Sequence, residues 1–384
     1  MIDLYYPLRS LREGNWFKLI CGASFQHLPA VRSLTLAYAL AGADCVDIAA
    51  DPAVAAAAQD GLRVAKSLAR EAQLRGYRSE SLPWLMISLN DGEDPHFRKA
   101  VFDPATCPDT CPRPCETICP ARAIVFEPPA DSIEARLGNG FSGVVESHCY
   151  GCGRCLPICP EQKISTYAHA STSEAIASLL LTDVDAVEIH TQVGRFSDFK
   201  RLWESTIAPV ASRLKLIAIS CPDGEGLIEY LWALSDLISS DLMSNQAIAS
   251  LSRPLIWQTD GRPMSGDIGD GATRSAVKLG QKVLAAGLPG YVQLAGGTNS
   301  HTVPKLEAIG LLKGQHLDPL YGISGVAFGS YARVLLAPVL SQLEAQFSPA
   351  LEDTPELLWQ AVALAHSLIS PLKTPMQLRQ TIPK

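Results

Sequence analysis

The sequence predicts an α/β fold, a (β/α)8 barrel interrupted by a cysteine-rich insert, and this prediction rests on three observations. Short apolar segments alternate with amphipathic segments along most of the 384 residues, which is typical of parallel β–α units. Eight apolar segments of strand length can be counted, and that number favours a closed barrel over an open doubly wound sheet. The alternation stops after the third strand, where two runs of four cysteines follow.

Three predicted strands precede the insert. They are 17–24 (FKLICGAS), 45–51 (CVDIAAD) and 82–91 (LPWLMISLND). The helix after the first strand should end at Gly42. A long alanine-rich helix after the second should begin at Pro52 and end near Gly76, because proline suits a first helical turn and glycine a terminus.

The alternation resumes after the insert with a predicted helix over 173–181. The remaining strands are predicted at 186–190, 214–220, 254–261, 291–297 and 324–330. Helices are predicted at 198–213, 226–240, 273–287 and 331–347. The domain prediction is therefore a barrel formed by 1–103 and 167–345, an insert at 104–166, and a C-terminal segment at 346–384. That last segment comprises an extra helix at 356–370 and a polar tail from Thr374, outside the barrel.

The second cysteine run indicates a bacterial-ferredoxin type of iron–sulfur site. Cys149, Cys152, Cys155 and Cys159 have the spacing C-x2-C-x2-C-x3-C, and Pro160 follows directly. At this spacing the first three thiolates bind one iron–sulfur cubane, and the fourth ligates the other cluster of a two-cluster protein. Glycines between the ligands permit the tight backbone turns that the loop requires.

The first run departs from that spacing but ends in the same way. Cys107, Cys111, Cys115 and Cys119 are each separated by three residues, and Pro120 follows. Several prolines within the run oppose a continuous helix, so an irregular loop around a metal centre is expected. The prediction is two clusters, most simply [4Fe–4S]. The unusual first run is the candidate for conversion to a [3Fe–4S] form.

The fourth cysteine of each run should cross to the other cluster, as in two-cluster ferredoxins. One predicted cluster is then held by Cys107, Cys111, Cys115 and Cys159. The other is held by Cys149, Cys152, Cys155 and Cys119.

Other uses of the cysteines are less favoured. A zinc ribbon also contains C-x2-C pairs, but a four-cysteine run closed by proline is not its pattern. Disulfides are disfavoured because the number of cysteines, eleven, is odd and the N-terminus lacks the pattern of a signal peptide. The formal charge of -7 argues against nucleic acid or an anionic membrane as a partner, and no apolar run reaches transmembrane length. A cytoplasmic protein is expected.

The predicted strand ends supply candidate residues for a barrel site, because barrel active sites lie at the C-terminal ends of the strands. Gly296, Gly297 and Thr298 follow strand seven, and Gly329 and Ser330 follow strand eight. These positions match the phosphate site of flavin-binding barrels. No lysine is predicted at a C-terminal strand end, with Lys18 and Lys215 assigned to the opposite ends, so flavin mononucleotide is a less favoured cofactor.

Three further residues are candidates for functional sites. His190 ends the fourth strand and is expected to be a hydrogen-bonded structural residue rather than a base. Cys221 ends the fifth strand and could be reactive. His148, next to Cys149, could donate a hydrogen bond to a cluster sulfur or simply be solvated.

Several segments resemble the light-dependent period family of cyanobacterial proteins. They are YYPLRSLREGNWFKLICGASFQHLPAVRSL, DCVDIAADP, YVQLAGGTN and the paired runs CPDTCPRPCETICP and CYGCGRCLPICP. The resemblance covers most of the chain. It implies an iron–sulfur protein that reports cellular redox state, and hence light, to the circadian clock. It also implies clock-associated proteins, and redox carriers such as quinone or ferredoxin, as partners.

Two functions from different classes follow. The first is a redox sensor in which the clusters respond to electron-transport poise and the barrel relays the change to partners. The second is an oxidoreductase in which ferredoxin-type clusters supply electrons to a flavin or a substrate in the barrel. No acid–base pair or nucleophile triad is visible in the sequence, which favours the sensor.

Overall fold

The computed structural model describes most of the chain. The described residues are 6–77, 81–92, 97–119, 121–126, 142–168, 176, 179, 184–244, 254–262, 268–312, 322–346 and 350–373. Of the helix predicted at 173–181, only Ile176 and Leu179 are described, and both are helical. Pro120 and the tail from Thr374 lie outside the described residues.

Eight parallel strands close into a barrel, which confirms the predicted fold class. They are β1 (Trp16–Ile20), β2 (Cys45–Ala49), β3 (Trp84–Asn90), β8 (Ala186–His190), β9 (Leu216–Pro222), β10 (Leu255–Asp260), β11 (Tyr291–Ala295) and β12 (Gly325–Phe328). Each pairs with the next barrel strand along the chain, and β12 pairs with β1 to close the sheet. The C-terminal ends of all eight strands therefore meet at one face, which we call the barrel mouth.

Helices surround the barrel. They are α1 (Tyr6–Glu13), α2 (Leu28–Ala41), α3 (Pro52–Leu74), α6 (Phe196–Leu202), α7 (Leu227–Ser244), α8 (Thr273–Ala285), α9 (Thr302–Ala308), α10 (Ser330–Ala345) and α11 (Pro355–Lys373). The predicted end of α2 is confirmed, since Gly42 has a left-handed φ of 99°. The predicted start of α3 is confirmed as well, because Pro52 follows Asp51, whose side chain accepts from Ala53 N and Val54 N.

One predicted helix is irregular. The helix expected over 198–213 is α6 followed by a π-helical turn at Trp203–Ile207 and a 3-10 segment at Ala208–Arg213. Pro209 has no N–H to donate to the preceding turn, which explains why an α-helix does not continue through it. The short helices α1 and α9 were not predicted.

The insert lies between β3 and β8, as predicted. Its elements are β4 (Arg98–Val101), a 3-10 turn (Pro104–Thr106), α4 (Pro114–Ile118), β5 (Ile124–Val125), β6 (Gly143–Val144), α5 (Cys155–Ile158) and β7 (Ser165–Ala168). The strands β4 and β7 form an antiparallel ribbon where the insert leaves the barrel. The boundaries at 104 and 166 remain a proposal, and this ribbon extends beyond both of them.

The main core lies between the barrel strands and their helices. Phe17 stacks between Tyr38 and Phe328, with ring centroids 5.9 Å and 5.1 Å away. The insert has a small core of its own, in which Ala123, Ile124 and Ile164 pack with the cysteines. None of the helices in the described ranges combines the length and the apolar character that a bilayer crossing requires.

Candidate metal centre and barrel mouth

The insert is built from two similar halves. The first half runs from β4 through the first cysteine run to α4 and β5, and the second runs from β6 through the second run to α5 and β7. The halves interlock, because β4 pairs with β7 and β5 pairs with β6, both antiparallel. This arrangement has pseudo-twofold symmetry.

The end of each cysteine run has the same local geometry. Cys119 and Cys159 follow α4 and α5, and in each half the residue three positions later, Arg122 or Gln162, has a positive φ of 49° or 52°. The next backbone N–H points back at the sulfur. Ala123 N lies 3.2 Å from Cys119 Sγ, and Lys163 N lies 3.4 Å from Cys159 Sγ. Backbone N–H groups directed at cysteine sulfurs tune the potential of iron–sulfur sites.

The thiols form two groups, and the first group contains cysteines from both runs. Burial, followed by the charges of Cys111 and Cys159, raises the pKa of Cys107. The pKa of Cys115 is also raised, by burial first and with contributions from Cys159 and Cys107. Cys159, the last cysteine of the second run, therefore lies among three cysteines of the first. We call Cys107, Cys111, Cys115 and Cys159 the outer group.

The second group mirrors the first. Burial and then the charges of Cys152, Cys149 and Cys119 raise the pKa of Cys155 to about 12. The pKa of Cys152 is raised by burial, with Cys119 and Cys149 contributing. Cys119 of the first run thus lies among three cysteines of the second. We call Cys149, Cys152, Cys155 and Cys119 the inner group.

The two groups differ in exposure. Cys149 and Cys155 of the inner group are buried, and all four inner cysteines line one cavity of about 450 Å³, its open side included. In the outer group only Cys115 is buried. The outer group is consequently the one that solvent and oxidants reach more easily.

The donor set fits iron–sulfur clusters. Burial and neighbouring cysteines raise the pKa of four of these thiols, Cys107, Cys115, Cys152 and Cys155, and iron bound among them would hold them as thiolates. In the described part of the chain, no three His, Cys, Asp or Glu side chains form a site for a single metal ion. A cluster would instead use one thiolate for each iron.

The inner group lies over the barrel mouth. Cys152 and Tyr150 line a second cavity together with barrel residues from β1, β8, β10, β11 and the start of α10. The guanidinium of Arg333, from α10, lies 4.0 Å from the centre of the Tyr150 ring. Arg333 also donates from Nη1 to Ile20 O at 2.8 Å and to Cys21 O at 3.0 Å. One side chain thus connects the cysteine loop to the end of β1.

A buried lysine fastens the ribbon to the barrel. Lys99 Nζ donates to Gln26 Oε1 at 2.7 Å and to Glu146 O at 2.9 Å. Gln26 in turn donates to Asp51 at 3.0 Å. Desolvation is the main cause that lowers the pKa of Lys99. The neighbouring Ala100 N lies 3.4 Å from Cys149 Sγ, so the attachment of the ribbon and the position of the inner group are linked.

The five residues predicted as a phosphate site all line the barrel-mouth cavity: Gly296, Gly297, Thr298, Gly329 and Ser330. Their surroundings do not suit a phosphate. The Thr298 hydroxyl donates to Ala327 O at 2.6 Å. A Cβ placed on Gly296 would lie 1.8 Å from Asp260 Oδ1, so a buried carboxylate occupies the space beside this glycine. The residues present therefore do not fit the phosphate of a flavin mononucleotide.

A charged network that the sequence analysis missed fills the barrel interior. Lys18 was assigned to the N-terminal end of its strand, but it lies in the middle of β1, fully buried, with Nζ between Glu188 Oε2 and Asp47 Oδ2. That assignment is wrong because β1 runs from Trp16 to Ile20, so Lys18 is the middle residue of the strand. Its side chain lies inside the barrel. Lys215 does lie at the N-terminal end, where it forms an ion pair with Asp185.

Glu188 is the centre of this network. Its Oε1 accepts from Gln258 Nε2 at 2.7 Å and lies 3.1 Å from His190 Nε2. Burial opposes ionisation of Glu188, but Lys18 and His190 outweigh it and lower its pKa to about 2. Asp47 accepts from Ser88 Oγ at 2.8 Å. For Asp47, burial prevails over the attraction of Lys18 and raises the pKa to about 6.

The other candidate residues have identifiable surroundings. His190 is buried against Phe97 and lines the barrel-mouth cavity, in addition to its contact with Glu188. Cys221 is 3% exposed, so an external reagent cannot reach it easily. The ring of His148 lies 4.2 Å from that of His27, and burial lowers the pKa of both.

A parallel barrel with a symmetric eight-cysteine insert over its mouth defines a barrel protein of the iron–sulfur-binding class. Two family models match the chain. The light dependent period A iron–sulfur cluster-binding domain matches residues 107–170, and the light dependent period A C-terminal domain matches residues 178–371. The light dependent period A protein of Synechococcus elongatus is 47% identical over 369 residues, covering 96% of this chain and 94% of its own. The chain therefore belongs to the light dependent period A family.

Among solved structures, a tryptophan synthase of Mycobacterium tuberculosis is 12% identical, with a TM-score of 0.40. The alignment covers 97% of this chain and 99% of the other. A likeness at this level carries no argument about function.

Proposed function

We propose that this protein is a redox sensor whose eight insert cysteines hold two [4Fe–4S] clusters, one in the outer group and one in the inner group. The observation that carries the proposal is the division of the thiols into two sets of four, each with three members from one run and one from the other. Two-cluster ferredoxins exchange their fourth ligand in this way. Each cluster would supply one-electron chemistry when bound.

The outer group is the proposed sensing site. Three of its four cysteines are partly exposed, and its first three ligands have the unusual x3 spacing. Both features favour loss of iron and a [3Fe–4S] form under oxidising conditions. The inner group, enclosed between the insert core and the barrel mouth, is proposed to connect that change with the barrel.

The Synechococcus elongatus relative is named for light dependence and for period. We extend that name to this chain as a proposal: the clusters report redox state, and hence light, to the circadian clock in the cytoplasm. Clock-associated proteins are the proposed recipients. Carriers such as quinone or ferredoxin are the proposed source of the redox signal.

The second candidate is an oxidoreductase in which the clusters supply electrons to a flavin or substrate in the barrel. The contact of Cys152 with the barrel-mouth cavity favours it. The carboxylate of Asp260 beside Gly296 disfavours a flavin phosphate. An absorption spectrum of anaerobically purified protein tests the flavin form of this candidate, because a flavin gives resolved bands and clusters alone give a broad shoulder.

The division of ligands is tested with Cys119→Ala and Cys159→Ala by paramagnetic resonance of the reduced protein. We expect Cys119→Ala to alter the same signal as Cys152→Ala, and Cys159→Ala the same signal as Cys107→Ala. Cys221→Ala is the matched control, since Cys221 is a buried cysteine outside the insert and should leave both signals unchanged. If Cys119→Ala and Cys107→Ala remove the same signal, each run keeps its own cluster and the proposal of exchanged ligands fails.

A further inference from the structure

One positive charge of the barrel lies against the loop that carries the inner cysteine group. Arg333 belongs to the first turn of α10, at the barrel mouth, and its guanidinium carbon lies 4.0 Å from the centre of the Tyr150 ring. Tyr150 stands between Cys149 and Cys152 in the chain, and Arg333 lines the same cavity as Cys152. The barrel, rather than the insert, therefore supplies a cation beside this group.

Arg333 is held in place by neutral acceptors. Its Nη1 donates to Ile20 O at 2.8 Å and to Cys21 O at 3.0 Å, and its Nη2 donates to Ser330 Oγ at 3.1 Å. Among the described residues it forms no ion pair with a carboxylate. Its charge is therefore not cancelled by a partner, and the three hydrogen bonds oppose any rotation of the side chain away from the insert.

The two cysteine groups are near different arginines. Burial raises the pKa of Cys152 in the inner group, and the charge of Arg333 partly opposes that rise. Burial also raises the pKa of Cys107 in the outer group, but there the opposing charge is that of Arg113. Arg113 is exposed and belongs to the insert, where its guanidinium lies over the Phe126 ring. Only the inner group is thus influenced by an arginine of the barrel in this way.

A fixed cation at this position would favour the reduced form of a bound cluster. Reduction by one electron adds one negative charge to the site, and the potential of an iron–sulfur site depends on the net charge around it. Tyr150 is buried, so water does not screen the charge of Arg333 across the ring. Arg122 differs, although it follows Cys119 by three residues. It is exposed and paired with Glu344, so its charge is both screened and neutralised.

We propose that Arg333 tunes the inner site, as a barrel cation held against Tyr150 that raises the reduction potential of a cluster bound by the inner group. This inference rests on the proposed two-cluster function and adds to it a residue outside the insert. Arg333 is anchored to the end of β1 and lies in α10, so a displacement of either element would change the separation of charge and cluster. By reciprocity, reduction of the inner cluster would hold Arg333 and the start of α10 more tightly.

The test is a potentiometric titration of anaerobically purified full-length protein, followed by paramagnetic resonance. The inner signal is the one that Cys152→Ala alters. Arg333→Gln should lower the midpoint potential of the inner signal, by about a tenfold change in the reduction equilibrium or about 59 mV for one electron. The outer signal of the same samples should keep its potential.

Arg122→Gln is the matched control. It removes an arginine close to the inner group in the chain, and Gln162 occupies the equivalent position of the second half with a similar φ, 52° against 49°. Because Arg122 is exposed and paired, this variant should leave both midpoint potentials unchanged.

Arg333 also supports the end of β1, so two further variants separate its charge from its hydrogen bonds. Arg333→Lys keeps the charge, and its inner potential should lie closer to that of the parent protein than the potential of Arg333→Gln does. Arg333→Met is a second neutral variant and should lower the inner potential as Arg333→Gln does. Circular dichroism reports whether each variant is folded.

An inner potential that is equal in the parent protein and in folded Arg333→Gln would overturn this inference alone. An equal lowering in Arg333→Lys and Arg333→Gln would also overturn it, since the role would then be structural. If both neutral variants lose the inner signal, its retention in Arg333→Lys supports the inference and its loss there overturns it. Absence of both signals from the parent protein overturns the proposed clusters and this inference with them.

Discussion

Neutralising the two buried carboxylates that flank Lys18 should change stability in opposite directions. Glu188→Gln should destabilise the barrel at neutral pH, and Asp47→Asn should stabilise it. Both carboxylates are buried beside the same ammonium group, but Glu188 has additional partners in Gln258 and His190. The attraction therefore outweighs burial at Glu188, and burial outweighs the attraction at Asp47.

The magnitudes follow from the pKa values. The pKa of Glu188 is lowered from 4.5 to about 2, so its ionisation contributes about 3 kcal/mol of stability that is present above pH 4.5 and lost as the pH falls towards 2. The pKa of Asp47 is raised from 3.8 to about 6, so its ionisation costs about 3 kcal/mol above pH 6, and the cost disappears as the pH falls to 3.8. Asparagine at position 47 imitates the protonated carboxyl. Its advantage should be about 3 kcal/mol at pH 8 and about half of that at pH 5.

The measurement is urea denaturation of anaerobic protein at pH 5 and pH 8, followed by circular dichroism. Equal m-values for the variants and the parent protein are required before free energies of unfolding are compared. Glu225→Gln, which neutralises an exposed carboxylate outside the barrel interior, is the control. The reasoning is refuted if both variants lose stability at pH 8, or if the advantage of Asp47→Asn does not decrease between pH 8 and pH 5.

Three further outcomes are expected. Anaerobic protein should contain about eight irons and eight sulfides, and stoichiometric zinc without acid-labile sulfide would contradict the cluster proposal. Replacing residues 102–164 with Asn-Gly should leave a folded barrel, because this dipeptide forms the two-residue turn of a hairpin between the paired residues Val101 and Ser165. An insoluble or molten product would show that the barrel needs the insert in order to fold. Lys373→Met should lower the free energy of unfolding by about 3–5 kcal/mol, because it leaves Asp44 buried without its cation. A smaller loss, measured from unfolding in urea, would contradict this expectation.

The sequence predicts the fold well because the periodicity of a parallel barrel is local. Strand Ala186–His190 has the predicted bounds, and helix Thr273–Ala285 begins at the predicted residue. Strand ends are less well predicted: FKLICGAS ends as a strand at Ile20, because Gly22 adopts a φ of 129° and turns the chain. The end of this strand depends on the conformation of one glycine, which neither composition nor periodicity predicts.

The charged network inside the barrel could not be predicted from the sequence, for a different reason. Lys18 and Glu188 stand in apolar strands, WFKLI and AVEIH, and a single charge in such a strand is as compatible with an exposed position as with a buried one. What decides between them is the register of the closed sheet, which brings β1, β2 and β8 around one ammonium group although these strands are far apart in the chain. The charge of Lys18 predicts a carboxylate partner only after that register is known.

The symmetry of the insert has a mechanical consequence for the proposed sensor. In the proposed ligand arrangement each cluster takes one ligand from the other run, so complete loss of a cluster would release the end of the opposite run. Release of Cys159 from the outer group would free the segment that continues through Lys163 into β7, and β7 pairs with β4, which carries the buried Lys99. Lys99 is bonded to Gln26 near the barrel mouth and is adjacent to the N–H that faces Cys149. Oxidative loss of iron at the exposed outer group would therefore loosen both the attachment of the insert and the inner group that covers the cavity. The proposed sensor would thus convert a change at its exposed end into a change at the barrel mouth without requiring electron transfer into the barrel.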